Sequence, residues 1–221
     1  MAHDVIASGA RQLGLSLTPA TVSALHTFAD LVRSTNNAFN LVSRQDIDRL
    51  ETRHILDCLA MVAFLTSADW PVAAGQERRR ILDVGSGAGL PGIVIAIACP
   101  ELEVTLVERS ARKHRFLQRV IAALKLANVV TKCHDVVEQG VEGEFEIITS
   151  RAVAPVTQMW EWLANHLVDR GMFIHMSFTA IGQSYEPPRL NGGFATAVPL
   201  EIPGLVEHHW LTVVRKGSPH G

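Results

Sequence analysis

Charge is scarce in this sequence. Of 221 residues only 19% are Asp, Glu, Lys or Arg, and the formal net charge is −2 with histidine neutral. A surface coated in basic residues is thereby excluded, so any contact with nucleic acid must come from a local patch. Long apolar runs are missing too, and none approaches the length of about 20 residues that spans a bilayer. The opening Met1-Ala2-His3-Asp4 has no basic stretch leading into an apolar core, so no signal peptide is expected. Cys58, Cys99 and Cys133 are an odd set without Cys-x-x-Cys spacing, which argues against a disulfide framework or a zinc site. They read as buried free thiols in a reducing compartment, and a cytoplasmic protein is expected. No internal repeat is found. With 48% hydrophobic residues, the chain suits one folded α/β domain with an extension.

The stretch Arg80-Ile81-Leu82-Asp83-Val84-Gly85-Ser86-Gly87-Ala88-Gly89-Leu90-Pro91-Gly92 organises the rest. Ile81, Leu82 and Val84 form a short apolar run that stops at glycine, the pattern of a buried parallel strand. Gly85, Gly87 and Gly89 let the backbone turn sharply and approach a ligand that a Cβ would block. Ile93, Val94, Ile95 and Ile97 then resume as a helix, giving the opening unit of a nucleotide-type binding fold. Gly87-x-Gly89-x-x-Gly92 also matches the dinucleotide fingerprint. Two acids separate the readings. Glu108, at the end of the run Val104 to Val107, suits ribose hydroxyls in either case. Asp83 beside the loop would repel a pyrophosphate but suits a cationic ligand. S-adenosylmethionine, with a ribose, a sulfonium, an ammonium and no phosphate, is the better fit.

Residues 1 to about 68 read as helical, with Thr18-Pro19 as a helix start and Val22, Leu25, Ala29 and Val32 at helical spacing. Asn36, Asn37 and Asn40 mark a loop, and a third helix is expected from Asp46 to about Leu65. On it His54 and Asp57 share a face, either as a buried hydrogen-bonded pair or as a wall of the site's mouth. Ser67 to Gln76 is the expected linker, ending at the basic Arg78-Arg79-Arg80. Four βα units follow. The helix from Ser110 buries Leu117, Val120, Ile121 and Leu124 and shows Arg112, Arg115 and Arg119 on another face. Strands are expected at Val129 to Asp135, Phe145 to Ser150 and Met172 to Phe178, with a helix from Pro155 to about Asp169 stopped by Gly171. Tyr185 to Gly193 reads as a mobile loop or hairpin arm, and Ala195 to Ile202 and His208 to Arg215 as closing antiparallel strands. His208 and His209, adjacent on a strand, point to opposite faces and are a poor chelating pair. Residues 218–221 read as a disordered tail.

Asn40-Leu41-Val42-Ser43, Arg53-His54-Ile55-Leu56-Asp57, the loop through Gly-Leu-Pro-Gly, Lys125-Leu126-x-Asn128 and Ser150-Arg151-Ala152 occur in order. In this series the chain resembles the RsmG family, also called glucose-inhibited division protein B, over roughly residues 20–180. That resemblance implies an S-adenosylmethionine-dependent methyltransferase acting on N7 of a guanine in small-subunit (16S) ribosomal RNA. It implies an α/β fold of the class I methyltransferase (Rossmann-like) type, mostly parallel with antiparallel closing strands and an N-terminal helical extension. Residues 1–76 would be cap and linker, and 77–217 the donor-binding core. It assigns donor contacts to Gly85, Gly87 and Leu90, ribose contact to Glu108, the adenine border to Val136 and Val137, and contact with donor or base to Arg151. The chain departs from the family pattern at Val137, where an acid is usual, at Thr35, where Trp is usual, and at Ser177-Phe178, where Lys-Gly is usual.

Guanine N7 has a lone pair and no proton, so methylation there needs alignment and charge stabilisation more than a general base. Consistently, Ser150 to Pro155 lacks the Asn/Asp-Pro-Pro-aromatic motif of amino-group methyltransferases. A cytosine-C5 enzyme would need an activated thiol, for which no cysteine here has a partner. A base whose N7 is hidden in the A-form groove must be turned outward. The expected partner is small-subunit RNA or a 30S-type particle, met by a monomer without metal or membrane. The competing readings are a small-molecule or protein methyltransferase and a catalytically silent donor-binding assembly module.

Overall fold

The computed structural model describes residues 4–67, 79–179 and 183–217. Helices α1 (Val5–Gln12), α2 (Pro19–Asn36) and α3 (Leu56–Thr66) come first. Thr18 caps α2 by accepting from the Thr21 N–H at 3.1 Å, with Pro19 in the first turn as the sequence predicts. The main body alternates β1 (Arg80–Val84), α4 (Gly92–Ala98), β2 (Glu103–Val107), α5 (Ala111–Leu124), β3 (Val129–Lys132), α6 (Val136–Gln139), β4 (Phe145–Arg151) and α7 (Val156–Leu163). It closes with β5 (Leu167–Thr179), β6 (Gly193–Leu200) and β7 (His208–Lys216).

The sheet runs β3-β2-β1-β4-β5-β7-β6. The first five strands pair in parallel, and β7 runs antiparallel to both β5 and β6. Side-chain alternation sends Ile81 to one face and Leu82 and Val84 to the other. Ile81, Val104, Ile174 and Leu211 bury against α1 to α5, while Leu82, Val84, Phe173 and Val214 bury against α7. On α5 Phe116, Leu117 and Val120 are buried and Ile121 and Leu124 partly so, with Arg112, Arg115 and Arg119 exposed.

Two asparagines, Asn36 of the expected loop and Asn128 of the motif series, are structural pins. Asn36 Oδ1 accepts from the N–H groups of Leu41 (2.7 Å) and Val42 (3.0 Å), fixing the loop after α2. Asn128 donates to the carbonyls of Ala96 (3.1 Å) and Leu102 (3.0 Å), tying the start of β3 to α4 and the approach to β2.

Several expectations are corrected. The third helix is not continuous from Asp46: a 3₁₀ turn (Ile47–Arg49) and a π turn (Glu51–Ile55) precede α3. There Glu51 is drawn to Arg33, and Arg53 to Asp46 and Glu207, so side-chain pairing across elements competes with regular α geometry. Gly171 does not stop a helix. The helix ends at Leu163, and Gly171 lies inside β5 where the register against β4 shifts between Phe145 and Ile147. A Cβ there would sit 3.0–3.2 Å from three backbone carbonyl oxygens. The third strand ends at Lys132, since Asp135 turns to cap α6. Cys58 and Cys99 are buried but Cys133, just past β3, is exposed. The stretch Tyr185 to Gly193 is tied down at Tyr185, which stacks on Trp210 with ring centroids 5.7 Å apart and hydrogen-bonds Thr212. The expected linker beyond Ser67 and the expected tail lie outside the described residues.

Candidate active site

The strand order reverses between β1 and β4, so the loops leaving their carboxyl ends diverge and open a crevice. Two cavities meet there. The first, about 540 Å³, takes Gly85, Gly87 and Leu90 from the loop after β1, and Arg151 from the end of β4. The second, about 270 Å³, is lined by Glu108, Asp135, Val136 and Val137 among others. Gly85, Lys113 and Ala152 border both.

Gly85, Gly87 and Gly89 all have left-handed backbone, with φ of 70°, 56° and 87°. Their roles differ. A Cβ at Gly87 would meet only the Gly85 carbonyl oxygen at 3.6 Å, so this residue leaves the loop open toward a ligand. A Cβ at Gly89 would come within 2.5 Å of Ile93, so its contribution is packing of the loop on α4, and it borders neither cavity. Asp83 is also displaced from its expected role. Alternation puts it on the Ile81 side of the sheet, fully buried, where Oδ2 accepts from the Gly92 N–H at 3.1 Å. Burial pushes its carboxyl up to about 7, and it lines neither cavity, so it is not placed to contact a ligand there.

Glu108 is buried at the end of β2, with Oε2 accepting from the Gly87 N–H (2.9 Å) and Oε1 from the Ser110 N–H (2.8 Å). Each oxygen keeps further acceptor capacity for a hydroxyl pair, and the same carboxylate holds the glycine loop against β2. Asp135 accepts from the Val137 N–H at 2.9 Å and starts α6, which leaves Val136 buried and Val137 54% exposed at the second cavity. A glycine loop left open at Gly87, an acceptor carboxylate and this apolar wall fit the loop, ribose and adenine ends of S-adenosylmethionine.

Arg151 belongs to a network. Its Nη1 lies 3.0 Å from His54 Nδ1 and 3.5 Å from Asp57 Oδ2, and Asp57 Oδ1 is 2.8 Å from His209 Nδ1. His54 and Asp57 do share a face, yet each bonds to Arg151, so they wall the first cavity instead of pairing with each other. Burial and then the Arg151 charge pull His54 down to about 4, leaving it neutral at pH 7. His175, beneath the cavity, is drawn down to about 4 by burial and bonds Ser150 Oγ at 2.9 Å. Burial raises both the Cys58 and Cys99 thiols, the latter to about 12, so neither is a thiolate nucleophile.

Sequence reasoning missed Lys113, Ala152, Trp162, His175 and His209 as lining residues. Ala152 stands in the Ser150-Arg151-Ala152 motif, but its place between the two cavities depends on the turn after β4, where its φ is 54°. His209 reaches Asp57 across 152 positions, a proximity that only tertiary structure creates. His208, its neighbour, is exposed, as strand alternation requires. Among the described residues no three His, Cys, Asp or Glu side chains cluster as metal ligands, and no helix is long and apolar enough to cross a membrane.

The strand order, the open glycine loop and the acid at the end of β2 define a class I S-adenosylmethionine-dependent methyltransferase. Residues 21–186 match the family described as rRNA small subunit methyltransferase G. "Ribosomal RNA small subunit methyltransferase G" of Cupriavidus necator is 34% identical over 96% of this chain and 94% of its own length. The protein of that name from a Marinomonas species is 30% identical over 98% of this chain and 100% of its own. The chain belongs to the rRNA small subunit methyltransferase G family. Among solved structures, a precorrin-6y C5,15-methyltransferase from Geobacter metallireducens aligns at 10% identity over 81% of this chain and 92% of that one, with a TM-score of 0.48.

Proposed function

We propose that this protein transfers the methyl group of S-adenosylmethionine to N7 of a guanine in small-subunit (16S) ribosomal RNA, in the cytoplasm. The observation that carries the reading is the joining of the two cavities at Gly85 and Ala152. Gly85, Gly87, Leu90, Glu108, Val136 and Val137 hold the donor across that junction, and the larger cavity retains a separate wall of Arg151, His54 and Asp57 for the acceptor. The bound donor supplies an electrophilic methyl on a sulfonium.

The chain's own part is positional. N7 has no proton to lose, and the wall agrees with that: His54 is neutral and already bonded to Arg151 at Nδ1, and Asp57 is engaged by Arg151 and His209. The planar guanidinium of Arg151 anchors an acceptor oxygen or phosphate. The Gly87 loop, held by Glu108, aligns the two reactants. The segment ahead of the sheet supplies Leu41, Asp46, His54 and Asp57 to this side of the cavity. Affinity for RNA comes from local cations, among them exposed Arg109, Arg115 and Arg119 and the Arg112 guanidinium resting 5.4 Å above the Phe39 ring.

The test is incubation of the protein and labelled donor with naked small-subunit RNA and with 30S particles, followed by mapping of the modified base. One N7-methylguanosine in either substrate is expected. Labelling of protein or small molecules alone would transfer the assignment to another methyltransferase class, and donor binding without turnover would make the protein a silent assembly module.

A further inference from the structure

The row Met172, Ile174 and Met176 on β5 is buried against the helices, yet Phe178, the next residue of the same row, is 65% exposed. Strand alternation keeps it on that face, and β5 here extends past the packed helices to the rim of the larger cavity, which Phe178 lines. Its cross-strand partner is His209, with ring centroids 6.2 Å apart at 33°. Over the ring lies Arg53, its Cζ 5.9 Å from the centroid. That guanidinium is fixed from two sides, Nε to Asp46 Oδ1 at 2.8 Å and Nη1 to Glu207 Oε1 at 2.7 Å. The three residues come from the π turn, β5 and β7, so the arrangement exists only in the folded chain.

An exposed aromatic ring leaves apolar surface in water unless a partner covers it. Most exposed apolar side chains on a protein are single and need no explanation. Phe178 differs because it borders the cavity that also holds the donor loop and Arg151, so the partner that reaches this ring is the methyl acceptor. Unstacked bases of RNA are held by aromatic rings and guanidinium planes, since every base has a π-face. We infer that Phe178, with Arg53 fixed beside it, is the platform on which the target guanine stacks when it is turned out of the RNA. The inference rests on the RNA methyltransferase reading above. Phe178 contacts substrate and Arg53 is a positioning residue. The lost stacking within the RNA is replaced by stacking on the protein, which holds the base in the plane from which N7 meets the methyl group.

The full-length protein carrying Phe178→Ala, Phe178→Leu or Phe178→Trp is compared with wild type. The measurements are KM and kcat on small-subunit RNA at saturating donor, RNA affinity by filter binding, donor affinity by calorimetry, and melting temperature. For Phe178→Ala we expect kcat/KM on RNA and RNA affinity to fall by about 10-fold, with donor affinity and melting temperature unchanged. Tryptophan restores both and leucine does not, since leucine fills space without a π-face. Wild-type behaviour in Phe178→Ala, or full rescue by leucine, overturns the stacking platform, as does an equal loss of donor affinity. A wild-type protein that methylates no RNA overturns the function reading, and the platform with it. Wild-type methylation that survives Phe178→Ala undiminished overturns the platform alone.

Discussion

At the scale of single residues, Arg151 and Glu108 each hold the protein together as well as lining a cavity proposed for a ligand. Arg151 and His209 both pair with buried Asp57, so Arg151→Ala removes one of that carboxylate's partners among the described residues. We expect a stability loss of about 1–3 kcal/mol together with a fall in methylation of about 10-fold or more. Arg151→Lys should recover stability better than activity, because a point charge can pair with Asp57 but lacks the planar fork. Turnover measured at saturating and limiting substrate, alongside urea unfolding, separates the two losses; wild-type turnover in the alanine variant would remove Arg151 from the site. Glu108→Ala releases the Gly87 and Ser110 amides besides removing the ribose acceptor. Donor affinity should fall by about 10- to 100-fold in calorimetry, matching the loss of charged hydrogen bonds. NAD binding tighter than donor binding in the wild type would refute the donor assignment itself. The buried titratable groups predict opposing pH effects. His54 and His175 are held at about 4, below the ordinary 6.5, so the stability each contributes is complete above pH 6.5 and is lost as pH falls toward 4. Asp83 is raised from 3.8 to about 7, so its contribution is present at low pH and is lost as pH rises through 7. In urea unfolding between pH 4 and 8, Asp83→Asn should therefore lose stability more steeply with acid than wild type, and His175→Asn less steeply. Parallel pH profiles in all three proteins would contradict the buried-charge account.

Among the elements, strands were read more accurately than the ends of helices. Apolar runs such as Ile81 to Val84 and Val104 to Val107 have few alternatives when both faces must be buried. The segment 164–169 was read as the end of a helix, although Leu167 and Val168 fit a strand equally well. Pairing of Leu167 with Phe145 decided for the strand, and the shift in register required a residue without Cβ at Gly171. Gly171→Ala should then destabilise the fold by about 1–3 kcal/mol, a cost of overpacking and not of helix termination. Thermal unfolding checks it: an alanine variant as stable as wild type would mean that the bulge relaxes freely. The π turn at Glu51–Ile55 was beyond sequence reasoning. Its residues have ordinary helical character, and the distortion coincides with the pairing of Arg53 with Asp46 and Glu207 on either side of it.

For the whole molecule, a net charge of −2 placed the burden of RNA contact on a local surface, and the exposed Arg112, Arg115 and Arg119 of α5 are the candidates proposed for it. The alternation of strand and helix, the glycine loop, the acid after β2 and the helical start at Thr18-Pro19 were legible in the sequence because each depends on near neighbours along the chain. The residues proposed for the donor, from Gly85 to Val137, could be placed together for the same reason: each lies in the segment that leaves a parallel strand, and parallel strands end on one side of the sheet. The proposed acceptor half was legible only in part: Arg151 and the shared face of His54 and Asp57 were anticipated, Phe178 and His209 were not. His54 and Asp57 on the helical segment, Arg151 after β4, Phe178 on β5 and His209 on β7 meet only because β7 inserts antiparallel between β5 and β6 while α3 packs across the sheet. Asp83 marks the same boundary from the other side. Its type and place beside the loop suggested a ligand for a cation, and the pleat of a strand, which alternates side chains between faces, turned it into the core. Local covalent order thus determined the loops proposed to hold the donor, whereas contacts between residues about a hundred or more positions apart, Arg151 with His54 and Asp57 with His209, decided the opposite wall.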